Sequence, residues 1–234
     1  MSSTGTQLET THLPNPNSVV KVGDGRGFVV LRRMKVPQEI RQQVRGGLRM
    51  VKFVEQRLIV TAAHCLSATI PCISSRDMSE RIVKSLGTLD ASKSDIWGEF
   101  MFADPIADIA VIGEPDNQQF DEQADAYNDL VESVSVLSIG EAQSGPGWIL
   151  SLDRKWTPAT LEVFSNIYGT SLVTGPTRAG QSGSPILNSI GKAVGVVAIG
   201  GETIGPEGRK DVEDNGPQPM LTHHLPAWLV KELR

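Results

Sequence analysis

Residues 58–65 read Leu-Ile-Val-Thr-Ala-Ala-His-Cys, a strand-like apolar run that ends on a histidine. Two other segments have the same character of one polar group set beside an apolar or glycine-rich run. One is Ala107-Asp108-Ile109-Ala110-Val111, and the other is Gly180-Gln181-Ser182-Gly183-Ser184-Pro185. Each has an ordinary explanation when taken alone: a structural histidine, a turn aspartate, a glycine-serine turn. Together they supply the parts of one reaction. A serine hydroxyl is a weak nucleophile at neutral pH and needs a base within hydrogen-bond reach. Imidazole titrates near working pH and suits that task. A carboxylate fixes the imidazole tautomer, and glycines beside the serine permit a tight turn whose backbone N–H groups converge on an oxyanion.

Composition narrows the alternatives. The chain has 234 residues, of which 39% are hydrophobic and 21% charged, as in a soluble globular protein. No apolar run approaches the ~18–20 residues of a membrane span. A net charge of −5 argues against wholesale nucleic-acid binding, which needs a basic face. There are four histidines, His12, His64, His223 and His224, and two cysteines, Cys65 and Cys72. HExxH and paired cysteine knuckles are both missing from the sequence, so a catalytic or structural zinc finds little support. The first 18 residues lack a basic region followed by an apolar one, so they are not read as a signal peptide. The expected location is cytoplasmic, with Cys65 and Cys72 as reduced thiols; a short bridge between them is the alternative.

Along the chain, residues 1–17 are polar and aperiodic and read as a flexible arm. Strand-like runs follow at 27–31, 48–54, 58–61, 82–86, 98–102 and 109–112, with a short helical insert at 37–45. The window Arg32–Lys52 holds seven basic residues against one acid, Glu39, and reads as a solvated hairpin or a docking patch for an acidic partner. The stretch around 113–133 is acidic and reads as a solvated connector, with one amphipathic helix over 124–131. Runs resume at 133–139, 148–152, 160–164, 170–173 and 193–199. A charged, glycine-rich loop spans 200–217, and 226–233 reads as a closing helix with Pro226 at its first position. With 23 glycines and 14 prolines, two sets of about six strands suggest two similar all-β halves.

The three polar segments resemble the TAAHC, D-I-A-L and GDSGGP signatures of chymotrypsin-like serine endopeptidases, in the same His, Asp, Ser order. The spacings, 44 residues and then 74, are similar to those of the compact bacterial and viral members. The resemblance covers about residues 18–234. It implies two six-stranded Greek-key β-barrels, 18–115 and 134–225, joined by the connector 116–133 and closed by a helix at 226–234. It implies a catalytic triad of His64, Asp108 and Ser182, with Asp104 as the competing carboxylate, and an oxyanion hole made by the N–H groups of Gly180 and Ser182. The order argues against an α/β-hydrolase, in which the serine comes first, and the resemblance implies that no metal or organic cofactor is needed.

Around the nucleophile the chain is similar to the glutamyl-endopeptidase branch. Pro176 and Thr177 fall in the specificity pocket, and Ala198, Ile199, Gly200 and Gly201 form the edge that pairs with substrate as an added strand. Ala198 stands where that branch carries a histidine, and Pro176 where trypsin keeps its pocket aspartate, so a small or aliphatic residue before the scissile bond is expected. Gln181 replaces the aspartate that takes a new N-terminal ammonium in zymogen activation. His223 and His224 are expected in the barrel wall. Arg49 replaces the usual disulfide partner of Cys65, and the Cys65 thiol is expected to point away from the imidazole. The expected partners are a protein or peptide substrate and a regulatory protein. A catalytically silent peptide-binding module of the same fold is the runner-up, separated by the intact triad residues.

Overall fold

The protein is described here from a computed structural model. It describes residues 13–36, 52–66, 81–91, 95–104, 108–163, 170–174, 177, 180–198, 220–225 and 227–233. Six strands form the first barrel: β1 Val19–Val22, β2 Gly25–Val36, β3 Lys52–Ala62, β4 Ile82–Gly87, β5 Ile96–Asp104 and β6 Ile109–Gly113. Helix α1, Asp121–Glu132, leads to the second set. That set comprises β7 Gly145–Leu150, β8 Trp156–Val163, β9 Thr170–Thr174, β10 Pro185–Asn188, β11 Ala193–Val196 and β12 Met220–His224, followed by α2 Ala227–Glu232. Both sheets close, in the orders β1-β2-β3-β6-β5-β4 and β10-β11-β12-β9-β8-β7. These are the same Greek-key order read twice, so the two halves share a topology although no sequence repeat is visible. Closure removes the exposed strand edges that an open sheet would leave.

The core follows from the apolar runs. Val29, Ile59 and Ile112 are fully buried, and the β2–β3–β6 ladder pairs Val29 with Ile59 and Ile59 with Ile112. In the second barrel Ile149, Leu161, Ile186 and Val194 fill the interior, while Trp148, Leu150, Leu187 and Val196 belong to the large cluster that contains the first barrel's core. Strands β7, β10 and β11 are therefore buried on both faces, one inside their own barrel and one against the other. That is why they read as continuous apolar runs rather than alternating ones.

Several expectations change. The runs at 48–54 and 58–61 overlap one strand, β3, which pairs with β2 in unbroken register from Gly27 opposite Thr61 to Val36 opposite Lys52. The polar residues Glu55, Gln56 and Arg57 split the pattern because there the hairpin runs out beyond the core. Strand β1 has only four residues, too few to register as a run. Residues 133–139 are no strand. They make two isolated bridges, Leu137 to Val30 and Ile139 to Ala193, one on each barrel. The expected strand at 148–152 stops at Leu150, where a tight turn begins.

Helix α1 does more than solvate a connector: Ala124, Tyr127, Leu130 and Val131 are buried, and the Tyr127 hydroxyl donates to the carbonyls of Arg57 and Ile112 at 3.1 Å each. Nor is the N-terminal arm loose over its last residues. Leu13 packs on the core, Trp156 Nε1 donates to Pro14 O at 2.7 Å, and Ser135 N donates to Asn17 O at 3.3 Å. His223 and His224 lie on β12, opposite Val196 and Gly195. The insert at 37–45 and the loop at 200–217 lie outside the described residues. Among the described residues, no helix is long and apolar enough to cross a membrane.

Candidate active site

His64 stands on a short 3-10 helix, Ala63–Leu66, directly after β3. Asp108 directly precedes β6, the antiparallel neighbour of β3, and Ala62 is opposite Ile109. Register alone therefore brings positions 63–64 to Asp108. Its carbonyl accepts from Ala63 N at 3.0 Å, Oδ1 accepts from His64 N at 2.9 Å, and Oδ2 lies 2.6 Å from His64 Nδ1. Both carboxylate oxygens are committed to one residue, and the backbone of Asp108 takes φ +50° to present them. Asp104, the competing carboxylate, ends β5 opposite Ile109, while the carboxylate at the imidazole is that of Asp108.

The pairing sets the protonation chemistry. Nδ1 holds the proton that Asp108 accepts, which leaves Nε2 as the acceptor in the neutral ring. The imidazole pKa is raised to about 10, chiefly by the Asp108 hydrogen bond and next by Cys65, against the lowering effect of partial burial. Asp108 is 8% exposed and the His64 side chain 35%, so the charge partner is sheltered while the ring opens to solvent.

Ser182 sits in a tight turn. Gly180 and Gly183 have φ of +86° and +81°, Ser184 N donates to Gln181 O at 2.9 Å, and Gly183 N donates to Val197 O at 2.8 Å. A Cβ on Gly183 would lie 1.7 Å from Arg26 O, so only glycine lets the turn press against β2. Among the described residues, the amides of Gly180 and Ser182 donate to no acceptor, which is what an oxyanion site requires of its donors. Gln181, where zymogens of the resembled type carry aspartate, is 1% exposed and donates Nε2 to Leu150 O at 3.0 Å.

No hydrogen bond joins Ser182 Oγ to His64 among the described residues. The contact at Nε2 is instead Cys65 Sγ, at 3.9 Å. The expectation that this thiol points away is thus corrected. The 3-10 turn folds the side chain back, and the sulfur occupies space that opens because residue 25 is glycine; a Cβ there would lie 2.3 Å from Sγ. Cys65 is a free, buried thiol, and Cys72 lies outside the described residues.

A model of the trypsin-like peptidase domain matches residues 52–196, which spans β3 to β11 and contains His64, Asp108 and Ser182. The chain belongs to this family. It is accordingly a serine endopeptidase, a hydrolase of chymotrypsin-like fold. The peptidase is similar in structure to a human pathogenic astrovirus serine protease, with 14% identity and a TM-score of 0.50 over 93% of this chain and 94% of that one. A glutamic-acid-specific serine protease matches at 14% identity and TM-score 0.45, covering 89% and 91% of the two chains. A Nocardiopsis protease matches at 15% and 0.45, covering 92% and 93%. At these identities the astrovirus match speaks to the fold. No curated protein matches.

Of the expected pocket residues in this peptidase, Thr177 and Ala198 are buried, at 3% and 2% exposure. Pro176, Ile199, Gly200 and Gly201 lie outside the described residues. One residue at the site escaped the sequence reading altogether. Arg26, on β2, is 7% exposed; its backbone N donates to Ser182 O at 2.7 Å, and its carbonyl accepts from Thr61 Oγ1 at 2.6 Å. In the sequence it carried no distinguishing signal except its place between two glycines, Gly25 and Gly27.

Proposed function

We propose that the peptidase cleaves peptide bonds through His64, Asp108 and Ser182, in the cleft between the halves 18–115 and 134–225. The observation that carries this reading is the double grip of Asp108 on His64, through the ring Nδ1 and the backbone N–H. In this reading Ser182 Oγ attacks the substrate carbonyl, and its proton passes to His64 Nε2. The C–N bond then breaks as Nε2 returns the proton to the departing amine, leaving an ester on Ser182. Water, deprotonated by the same nitrogen, releases the acid. The Gly180 and Ser182 amides meet the oxyanion, and each such donor typically contributes ~3 kcal/mol. The buried Thr177 and Ala198 favour a small or aliphatic residue ahead of the cut, and the segment 198–201 receives the substrate main chain.

The finer assignments are part of the same proposal. The free Cys65 thiol fits a reducing, intracellular compartment. The inward hydrogen bond of Gln181 supports a site that assembles without a new N-terminal ammonium. The basic window Arg32–Lys52 is the surface assigned to a regulatory partner of acidic character. The absence of a Ser182–His64 hydrogen bond favours one rival, the silent peptide-binding module. A serine-directed fluorophosphonate separates the two. The enzyme labels, and Ser182→Ala abolishes labelling; an unlabelled wild-type chain that still binds peptides sinks the enzymatic reading.

A further inference from the structure

The turn between β7 and β8 is held to the first barrel from two sides. Arg26 Nη1 donates to Ser151 O at 2.9 Å and Nη2 to Leu152 O at 3.2 Å, across more than 120 residues of sequence. Arg154, on the same turn, is bound to Asp90 in the β4–β5 connection. The turn closes on itself through Ser151 N to Lys155 O at 2.9 Å and Arg154 N to Ser151 O at 3.1 Å. The Arg154–Asp90 pair is solvent-exposed and contributes little. Arg26 is different. Its guanidinium is buried and, among the described residues, meets carbonyls and no carboxylate. A buried charge without a counter-ion weakens a fold, so its presence asks for a use.

The use lies one residue further on. Leu152 is 46% exposed. Its Cδ2 lies 3.5 Å from where a Cβ on Gly180 would stand, and among the described residues nothing else comes within 4 Å of that position. Gly180 has no side chain of its own to fix its peptide, and glycine crosses between backbone basins easily.

We propose that Arg26 is a positioning residue for the oxyanion donors: by gripping the carbonyls of Ser151 and Leu152 it seats the Leu152 side chain over Gly180 and holds that residue's N–H in place. This rests on the peptidase reading above. Arg26 touches no substrate in this account; it acts through Leu152. The backbone bond from Arg26 N to Ser182 O survives substitution, so the side chain's part can be tested by itself.

The experiment uses the full chain. Arg26→Met replaces the guanidinium with an apolar side chain of similar length, which removes the buried charge along with its two hydrogen bonds. The expected result is a kcat lower by about tenfold to a hundredfold with KM within about twofold, since misplaced donors cost transition-state binding. Thermal unfolding should stay close to wild type, and amide exchange at 151–155 should accelerate. Leu152→Ala should show a smaller kcat loss of the same kind. The double variant should be no slower than Arg26→Met, because both act along one path. Arg26→Lys, which keeps the charge but offers a single point of donation, should fall between and serves if Arg26→Met does not fold. An unchanged kcat, a loss that only follows stability, or multiplying effects of the two substitutions overturns the inference. Fluorophosphonate labelling of the wild type is run first. No labelling there sinks the peptidase reading itself, whereas normal labelling of both wild type and Arg26→Met at equal rates sinks only the role of Arg26.

Discussion

Replacing Asp108 by asparagine tests the site at its most specific contact. Asparagine keeps an oxygen for the His64 backbone N–H, now at 2.9 Å, but turns an NH2 toward Nδ1, now 2.6 Å from a carboxylate oxygen. Nδ1 must then accept, the ring proton moves to Nε2, and Nε2 can no longer take a proton from Ser182. The analogous change in a Ser-His-Asp triad lowers kcat about 10⁴-fold, equivalent to about 5 kcal/mol of barrier. The pH profile carries an independent sign. Asp108 first, and Cys65 after it, raise the His64 pKa to about 10, so kcat/KM of the wild type should still be climbing above pH 8 as the ring loses its proton. In Asp108→Asn the acidic limb should move to lower pH, toward the ordinary imidazole value near 6.5.

Stability follows the same linkage. A raised folded-state pKa stabilises fully below the unfolded value of about 6.5, and the advantage is lost as pH rises through the folded value of about 10. The wild type's margin over the variant should therefore be larger at pH 6 than at pH 10. The assay is kcat/KM on a chromogenic peptide from pH 5 to 10.5, with thermal melts at both ends. A loss under about tenfold with an unmoved acidic limb would refute the reasoning, because a tautomer-setting carboxylate cannot be removed so cheaply.

Two further substitutions probe the supports of the site. Gly183→Ala places a Cβ 1.7 Å from Arg26 O at φ +81°, so it should cost about 3 kcal/mol or more in urea unfolding and abolish labelling of Ser182; a neutral alanine would mean the turn does not press on β2. Tyr127→Phe leaves the Arg57 and Ile112 carbonyls without the hydroxyl they share, at 3.1 Å each, and should lower stability by about 1–3 kcal/mol while labelling persists. A melt unchanged within error would show that α1 is held by apolar packing alone.

Residue chemistry explains which parts were legible before the fold was known. The strands around Ile59, Ile109 and Val194 are buried, and burial writes itself into a sequence as apolar runs. The three polar segments stand out because a histidine, an aspartate and a glycine-flanked serine each interrupt or border such runs. The long hairpin of β2 and β3 was legible only near its base, because Glu55, Gln56 and Arg57 extend past the core and hide the period. Residues 133–139 looked like a strand since Leu137 and Ile139 are buried, although each touches a different barrel and neither has a ladder. The Cys65 thiol could not be oriented, because its direction depends on a glycine forty positions upstream.

Local pattern thus determined the all-β class, the order of the polar groups and the identity of the three candidate catalytic side chains. Tertiary structure supplied the contact itself, bringing the Asp108 carboxylate to the imidazole through the β3–β6 register. Only the tertiary structure set Arg26 against the Ser182 turn and the β7–β8 turn. Register and inter-barrel contact depend on backbone pairing between segments far apart in the chain, and no window of sequence contains both partners.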